Sequence, residues 1–283
     1  MSSLAEQRDR LVELIGGFAS CAVAFSGGVD SAVVAKAAQL ALGERAVAVT
    51  GTSASLAAGE LADARRLAAL IGIRHLVIDT DELANPDYVR NAPDRCYHCK
   101  TELYTQLERR REELNVAVIV SGANRDDLGD YRPGMQAARE HHVRSPLAEC
   151  SLGKADVRRL AADWNLPVWD KPATPCLSSR VAYGESVTPE RLAMIDQAEQ
   201  FLRRQGLSTL RVRYHQGDLA RIEVPSAAIE RLCQGEVRQA LVAELTRIGF
   251  KYVTLDLEGF RSGSQNRVLP PGTLKLIDLP VIE

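Results

Sequence analysis

Between Cys21 and Val120 the chain alternates short apolar runs with amphipathic segments of helical length, and few folds accommodate that order. The runs are Cys21–Phe25 (CAVAF), Ala46–Thr50 (AVAVT), Arg74–Asp79 and Val116–Val120. The segments between them are Ser31–Leu42, Ser55–Ile71 and Tyr97–Leu114, with Leu56, Leu61, Leu67 and Leu70 as the main apolar positions of the second. A short apolar run with helices on either side of it in sequence is what a parallel sheet covered on both faces requires. Parallel neighbours need a crossover, and a helix is the usual one. The pattern therefore predicts an α/β domain with a doubly wound parallel sheet. Ser151–Trp164 reads as a further helix with Ser151 as its cap.

The stretch Pro167 to Pro175 breaks the alternation. Beyond it, Thr188-Pro189-Glu190 opens a helix with Thr as cap and Pro at the first helical position. Leu210–Tyr214 and Arg221–Val224 alternate as strands, Ser226–Ile248 is helical with a break near Gly235, and Tyr252–Leu257 closes a strand. A chain of 283 residues exceeds one small core. The expected division is a nucleotide-type domain over residues 1–170 and a smaller α+β domain, with its connecting segment, over 171–283.

Charge and cysteine content narrow the function classes. Thirty-five basic and 37 acidic side chains give a net charge of −2, so no bulk positive field holds a nucleic-acid backbone. The N-terminus is amphipathic and carries acids, unlike a signal peptide, and no 18-residue apolar run exists to span a membrane. Six cysteines are too sparse for a disulfide-stapled scaffold. Together these predict a cytoplasmic protein with no membrane or nucleic-acid partner.

The densest chemical signal is Phe25-Ser26-Gly27-Gly28-Val29-Asp30-Ser31, which ends the first strand and opens the first helix. Successive backbone N–H groups at such a turn form a pocket for an anion, and the helix N-terminus adds about half a positive charge. Gly27 and Gly28 let backbone approach phosphate oxygens, Ser26 and Ser31 bring hydroxyl donors, and Asp30 caps the helix or holds a divalent cation. SGGVDS in this context resembles the PP-loop of ATP pyrophosphatases, and it lacks the GKS ending of a Walker loop. That resemblance implies enzymes that split ATP between the α and β phosphates, with Mg²⁺, and pass AMP to a carbonyl or carboxylate oxygen. It places Thr50, at the tip of the second strand, against the adenine.

A second polar turn, Ser121-Gly122-Ala123-Asn124-Arg125-Asp126-Asp127, follows the fourth strand at the edge where open α/β sheets bind ligands. Gly122 would give nucleotide access there, and Asp126 or Asp127 could position a cation. The polar run continues through Tyr131, Arg132 and Gly134.

Cys96-Tyr97-His98-Cys99 places two thiols on one face of a helix start, where the dipole lowers thiol pKa. Alone the pair suits zinc, an iron–sulfur cluster or a thiol–disulfide couple; His75, His98, His141 and His142 lack good ligand spacing. Cys176 lies where the chain leaves the first domain, beside Ser179 and Arg180, surroundings that favour thiolate. Cys21 and Cys233 sit in apolar patterns and read as packing residues, with Cys150 structural by default.

SGGVDS, DRCYHCK, SGANRDD, PCLSSR and LDLEGFRSGSQN together resemble the LarE family across essentially the whole chain. These are ATP-dependent PP-loop sulfur transferases of nickel-pincer cofactor assembly. The family's usual Met in the last motif is Gln265 here. The resemblance implies an AMP- and pyrophosphate-forming enzyme that adenylates a carboxylate of a pyridinium-3,5-dicarboxylate mononucleotide and makes the thiocarboxylate. It implies Cys176 as the sulfur-handling residue and, because Cys96 and Cys99 accompany it, the branch that holds a 4Fe–4S cluster on three cysteines. It further implies sulfide or another sulfur donor as co-substrate and a trimer-based homo-oligomer. The alternatives are sacrifice of the Cys176 sulfur itself and a PP-loop tRNA thiolase.

In the second domain Arg211 and Arg213 alternate on a strand and so share a face. With Arg180, Arg261 and Ser179 they are candidates for the substrate phosphate, in forked geometry. Glu199 and Glu223 are weaker candidates for a divalent cation, Glu199 reading most simply as a helix-surface charge.

Overall fold

The structure, a computed structural model, describes residues 3–128, 133–172, 174–261 and 264–268. The first half runs α1 (Leu4–Gly16), β1 (Cys21–Ala24), α2 (Val29–Leu42), β2 (Ala46–Thr52), α3 (Glu60–Ile71), β3 (Arg74–Asp79), α4 (Arg95–Arg109) and β4 (Val118–Val120). The four strands pair in parallel in the order β3-β2-β1-β4, in the register Cys21↔Ala46 and Cys21↔Val118. The strands' carboxyl ends therefore line up along one edge, which brings together the loops after β1, β2, β3 and β4. One face of the sheet packs on α1 and α2 and on the later helix α6 (Lys154–Asp163). The other packs on α4 and α5 (Pro133–Glu140), with Tyr104, Leu107 and Ala137 buried there.

The second region contains α7 (Pro189–Arg204), β5 (Arg211–His215), β6 (Leu219–Glu223), α8 (Ser226–Cys233), α9 (Gly235–Ile248) and β7 (Tyr252–Leu255). β5 and β6 form an antiparallel hairpin, and β7 runs parallel to β6. One face, with Val212, Tyr214, Ala220 and Ile222, packs on α7 and α9 in a core that also takes in Ala57 and Tyr88 from the first half of the chain. Arg211, Arg213 and Arg221 lie on the opposite face. Among the described residues no helix is long and apolar enough to cross a membrane.

Three local expectations are corrected. The helix expected from Ser55 begins only at Glu60, because Gly59 has φ 87° and the residues before it turn instead. Its buried stripe is Ala64, Leu67, Ala68 and Ile71, and Leu70 is exposed. Ser151 is no cap: with φ 57° it ends the preceding turn, and α6 starts from Gly153, whose N–H is accepted by the Asp156 carboxylate at 3.0 Å. Cys233 ends α8 on its outer side and is exposed rather than packed. The Thr188 cap forms as expected, its hydroxyl accepting the Arg191 N–H at 3.3 Å.

Candidate active site

The loop after β1 braces itself. The Ser31 hydroxyl donates to the Gly28 carbonyl at 3.0 Å and accepts the Ser26 N–H at 3.3 Å, while the Gly28 N–H is accepted by Ser26 Oγ at 3.3 Å. Gly27 holds φ 72°, which a side chain would strain, and a Cβ there would touch Ala64 at 3.4 Å. The first-turn N–H groups of α2 are thus presented as a preformed anion cradle.

The loop after β4 packs against that cradle. Asp30 accepts a hydrogen bond from Asn124 Nδ2 at 3.1 Å and forms an ion pair with Lys154, at the start of α6. Asn124 in turn caps the short turn Arg125–Asp127, and its N–H is accepted by the Asp127 carboxylate at 3.0 Å. Gly122 serves a packing purpose that spacing did not show: a Cβ on it would lie 2.8 Å from the Ser31 nitrogen. Lys154 was not legible as a site residue, since 124 residues separate it from Asp30. Tyr131 and Arg132 lie outside the described residues, and Gly134 packs beneath Lys100.

From Phe25 and Ser26 a cavity of about 210 Å³ runs past Thr50, Gly51, Ser53, Ser55 and Glu82 to Cys99, Lys100 and Cys176. Thr50 lines it while its hydroxyl donates to the Phe25 carbonyl and meets His75 Nε2, both at 2.8 Å. Burial and the nearby Arg65 charge hold the His75 imidazole below its ordinary range.

The three chemically marked cysteines converge at the far end. Cys96 and Cys99 lie in the first turns of α4, and Cys176 immediately precedes the 3₁₀ turn Leu177–Arg180. That loop is clamped to the segment before α4: Tyr88 Oη meets Ser178 Oγ at 2.6 Å, Asn91 donates to the Ala182 carbonyl at 2.8 Å, and Arg95 donates to the Ser178 carbonyl at 2.8 Å. Cys99 and Cys176 line the cavity, and Cys96 keeps an accessible face. The expectation of a lowered thiol pKa at this helix start is overturned. Burial pushes both Cys96 and Cys99 up, and the neighbouring Cys176 pushes further. Arg95 opposes this at Cys96 and Lys100 at Cys99, without prevailing. The cation expected beside Cys176, Arg180, bonds the Cys176 carbonyl at 2.9 Å rather than standing over the thiol. The cations acting on the thiols are Arg95 and Lys100. Among the described residues no three His, Cys, Asp or Glu side chains gather around a single metal-ion position.

The arginines of the second region divide into two kinds. Arg180 and Arg213 are internal braces: Arg180 pairs with Glu199 at 3.0 Å with both side chains fully buried, and Arg213 pairs with Glu223 at 2.9 Å and donates to the Ser179 carbonyl. Glu199 is therefore a core carboxylate rather than a surface charge. It also receives Arg203, as Glu223 receives Arg221, so a cation at either would have to displace a guanidinium. Ser179 donates to the Cys176 carbonyl at 2.8 Å. Arg261 pairs with Glu258 at 2.5 Å. Arg211 is different, half-buried over the Phe260 ring and lowered to about 10 by burial and by the Arg180 charge. Burial is the larger cause, and the Arg180, Arg213 and Arg203 charges add to it against Glu199; a bound anion would stabilise the charged form.

Comparison with known proteins adds independent findings. A family model described as NAD synthase matches residues 10–103. The chain is 47% identical over 266 residues to an uncharacterized protein of Synechocystis sp., covering 94% of this chain and 99% of that one. It is 37% identical over 275 residues to the pyridinium-3,5-bisthiocarboxylic acid mononucleotide synthase of Lactiplantibacillus plantarum, covering 97% of this chain and 99% of the relative. A tRNA-specific 2-thiouridylase of Xanthobacter autotrophicus is 31% identical over 190 residues, but only 53% of this chain and 48% of that protein are covered.

Proposed function

Because this chain belongs to the LarE family of pyridinium-3,5-bisthiocarboxylic acid mononucleotide synthases and is an ATP-dependent sulfurtransferase, we propose that it adenylates a carboxylate of a pyridinium-3,5-dicarboxylate mononucleotide and replaces the activated oxygen with sulfur. The observation that carries this reading is the single cavity joining Phe25 and Ser26, beside the phosphate loop, to Cys99 and Cys176. In this reading ATP and sulfur chemistry share one cavity.

A substrate carboxylate oxygen attacks the α-phosphorus of ATP, and pyrophosphate leaves. Sulfide then attacks the acyl carbon, the carbon–oxygen bond to AMP breaks, and AMP departs with the former carboxylate oxygen. In this reading Ser26, Gly27, Gly28 and Ser31 hold the pyrophosphate end through N–H and hydroxyl groups, and Thr50 walls the adenine. Asp30 and Asp127 would hold Mg²⁺ for the phosphates, and Gly122 packs the loop that carries Asp127 against the first turn of α2. Arg211 receives the mononucleotide phosphate. Arg180, Arg213 and Ser179 hold that surface to the Cys176 loop, and Arg261 flanks it. The carboxylates Glu199 and Glu223 set the two bracing arginines.

Cys96, Cys99 and Cys176 are the residues that would hold a 4Fe–4S cluster. What supports this is the shared neighbourhood of the three thiols with the cations Arg95 and Lys100; burial holds Cys96 and Cys99 as thiols, so binding the cluster would have to displace their protons. Bound by three cysteines, it would supply one iron position without a protein ligand, the chemistry of sulfide capture. The chain's own contribution is to clamp the Cys176 loop through Tyr88, Asn91 and Arg95 and to shield the reacting acyl group from water.

Protein purified without oxygen, given ATP, the mononucleotide and sulfide, should release pyrophosphate only when the mononucleotide is present, and the product should carry sulfur for oxygen. Iron and acid-labile sulfide should be present beforehand, and chain mass should not change. Pyrophosphate release without thiocarboxylate would overturn the reaction. Dehydroalanine at position 176 after one turnover of iron-free protein would overturn the cluster alone and leave sulfur transfer standing.

A further inference from the structure

Glu82, in the 3₁₀ turn just after β3, is 2% exposed, yet it lines the cavity. Two hydroxyls from the loop after β2 hold its carboxylate: Ser53 Oγ donates to Oε1 at 2.6 Å and Ser55 Oγ donates to the same oxygen at 2.7 Å. Both donors are neutral, and among the described residues no lysine, arginine or histidine forms an ion pair with it. The contrast with the other buried carboxylates is sharp. Glu199 and Glu223 each receive two guanidinium groups. An ionised carboxylate taken out of water without an opposing charge loses far more hydration energy than two hydroxyl bonds return. A cation carried by the cavity's occupant would supply the partner that no ion pair gives it among the described residues.

We propose that Glu82 is the counter-ion of the substrate's pyridinium ring and selects for its positive charge. The inference rests on the functional reading above. ATP offers Glu82 no cationic group, since adenine is neutral and the phosphates are negative. The substrate does, because its ring nitrogen is permanently charged and its carboxylates project from the same ring. The cavity carries matching groups in neighbouring places. Glu82, Cys99 and Lys100 all line the same cavity. A negative and a positive group therefore flank the sulfur end, as a ring with a cationic nitrogen and an anionic carboxylate requires. Ser53 and Ser55 fix the carboxylate in one orientation, so its field is preorganised before substrate arrives. A divalent cation is the other partner a carboxylate can take, and it would arrive with ATP.

The test compares two probes by calorimetry: the pyridinium dicarboxylate mononucleotide and its dihydropyridine form, whose reduced ring is neutral. Wild-type protein should bind the charged ring about tenfold or more tightly than the neutral one. Glu82→Gln should bring that ratio close to one with the ATP Kd unchanged, and Glu82→Asp should restore part of it. A ratio near one in the wild type overturns the inference without any variant. So does a Glu82→Gln protein that keeps the wild-type ratio, or that loses ATP-Mg²⁺ affinity equally. Wild-type protein that turns over the mononucleotide but shows no charge preference overturns this inference alone. Failure to bind or adenylate the mononucleotide at all removes the functional reading and the inference with it.

Discussion

Replacing Gly122 by alanine tests how the phosphate cradle is held. The added Cβ would sit 2.8 Å from the Ser31 nitrogen and 3.0 Å from the Asp30 carbonyl carbon. Both are backbone atoms of the first turn of α2, so no side-chain rotation relieves the contact. The loop after β4 and the helix must separate by several tenths of an ångström, an overpacking that costs about 1–3 kcal/mol. For a chain of this size each kcal/mol lowers Tm by roughly 2–4 °C, so a fall of about 2–12 °C is expected. The same displacement tilts the N–H groups that meet the phosphates, and the ATP Kd should rise by about tenfold. Gly28→Ala is the contrast. Gly28 has φ −81°, and a Cβ there meets only Ser26 Oγ at 3.4 Å. That variant should stay within about 0.5 kcal/mol of wild type in stability, yet bind ATP poorly because the methyl enters the phosphate space. Scanning calorimetry and ATP titration separate the two losses. A Gly122→Ala protein with wild-type Tm and wild-type ATP affinity would refute the packing argument.

Two further outcomes follow from the site's charges. Arg211→Ala should weaken mononucleotide binding by about ten- to hundredfold while ATP binding and Tm hold, by calorimetry and thermal melts. Arg213→Ala removes one of the two guanidinium groups on buried Glu223, with Arg221 remaining, and should instead cost about 1–3 kcal/mol of stability. For the metal-free protein, burial holds the Cys99 thiol up, so the folded state keeps a proton that the unfolded chain releases above its ordinary thiol pKa of about 8.5. Stability from this group is therefore full below that pH and falls as pH rises beyond it, and alkylation of Cys99 at neutral pH should lag that of exposed Cys233. A urea midpoint that climbs between about pH 8.5 and 10 would contradict the sign.

The sheet was legible because its signal is local. Apolar runs set the strands, and the carboxyl-edge rule placed both polar turns where they are found. Where local pattern and local conformation disagreed, conformation won: left-handed backbone at Gly59 and Ser151 stops helices that side-chain periodicity alone would continue. The cysteine pair was legible as a pair, but its ionisation was not. A helix N-terminus is visible in sequence, whereas the burial that outweighs it depends on packing from Tyr88 and the Cys176 loop.

The arginines show where such reading ends. Alternation correctly places Arg211 and Arg213 on one face of β5, and from the strand alone they are equivalent. Strand register and the approach of α7 make them different. Glu223 and Ser264 reach Arg213, while Arg211 turns over Phe260. Arg180 is fixed by a carboxylate 19 residues away, and Glu82 by hydroxyls 27 and 29 residues earlier. A charged side chain's role is set by what stands opposite it after folding. Glu199 meets guanidinium and becomes structure; Glu82 meets only hydroxyls and an open cavity, and the charge it lacks points to the ligand.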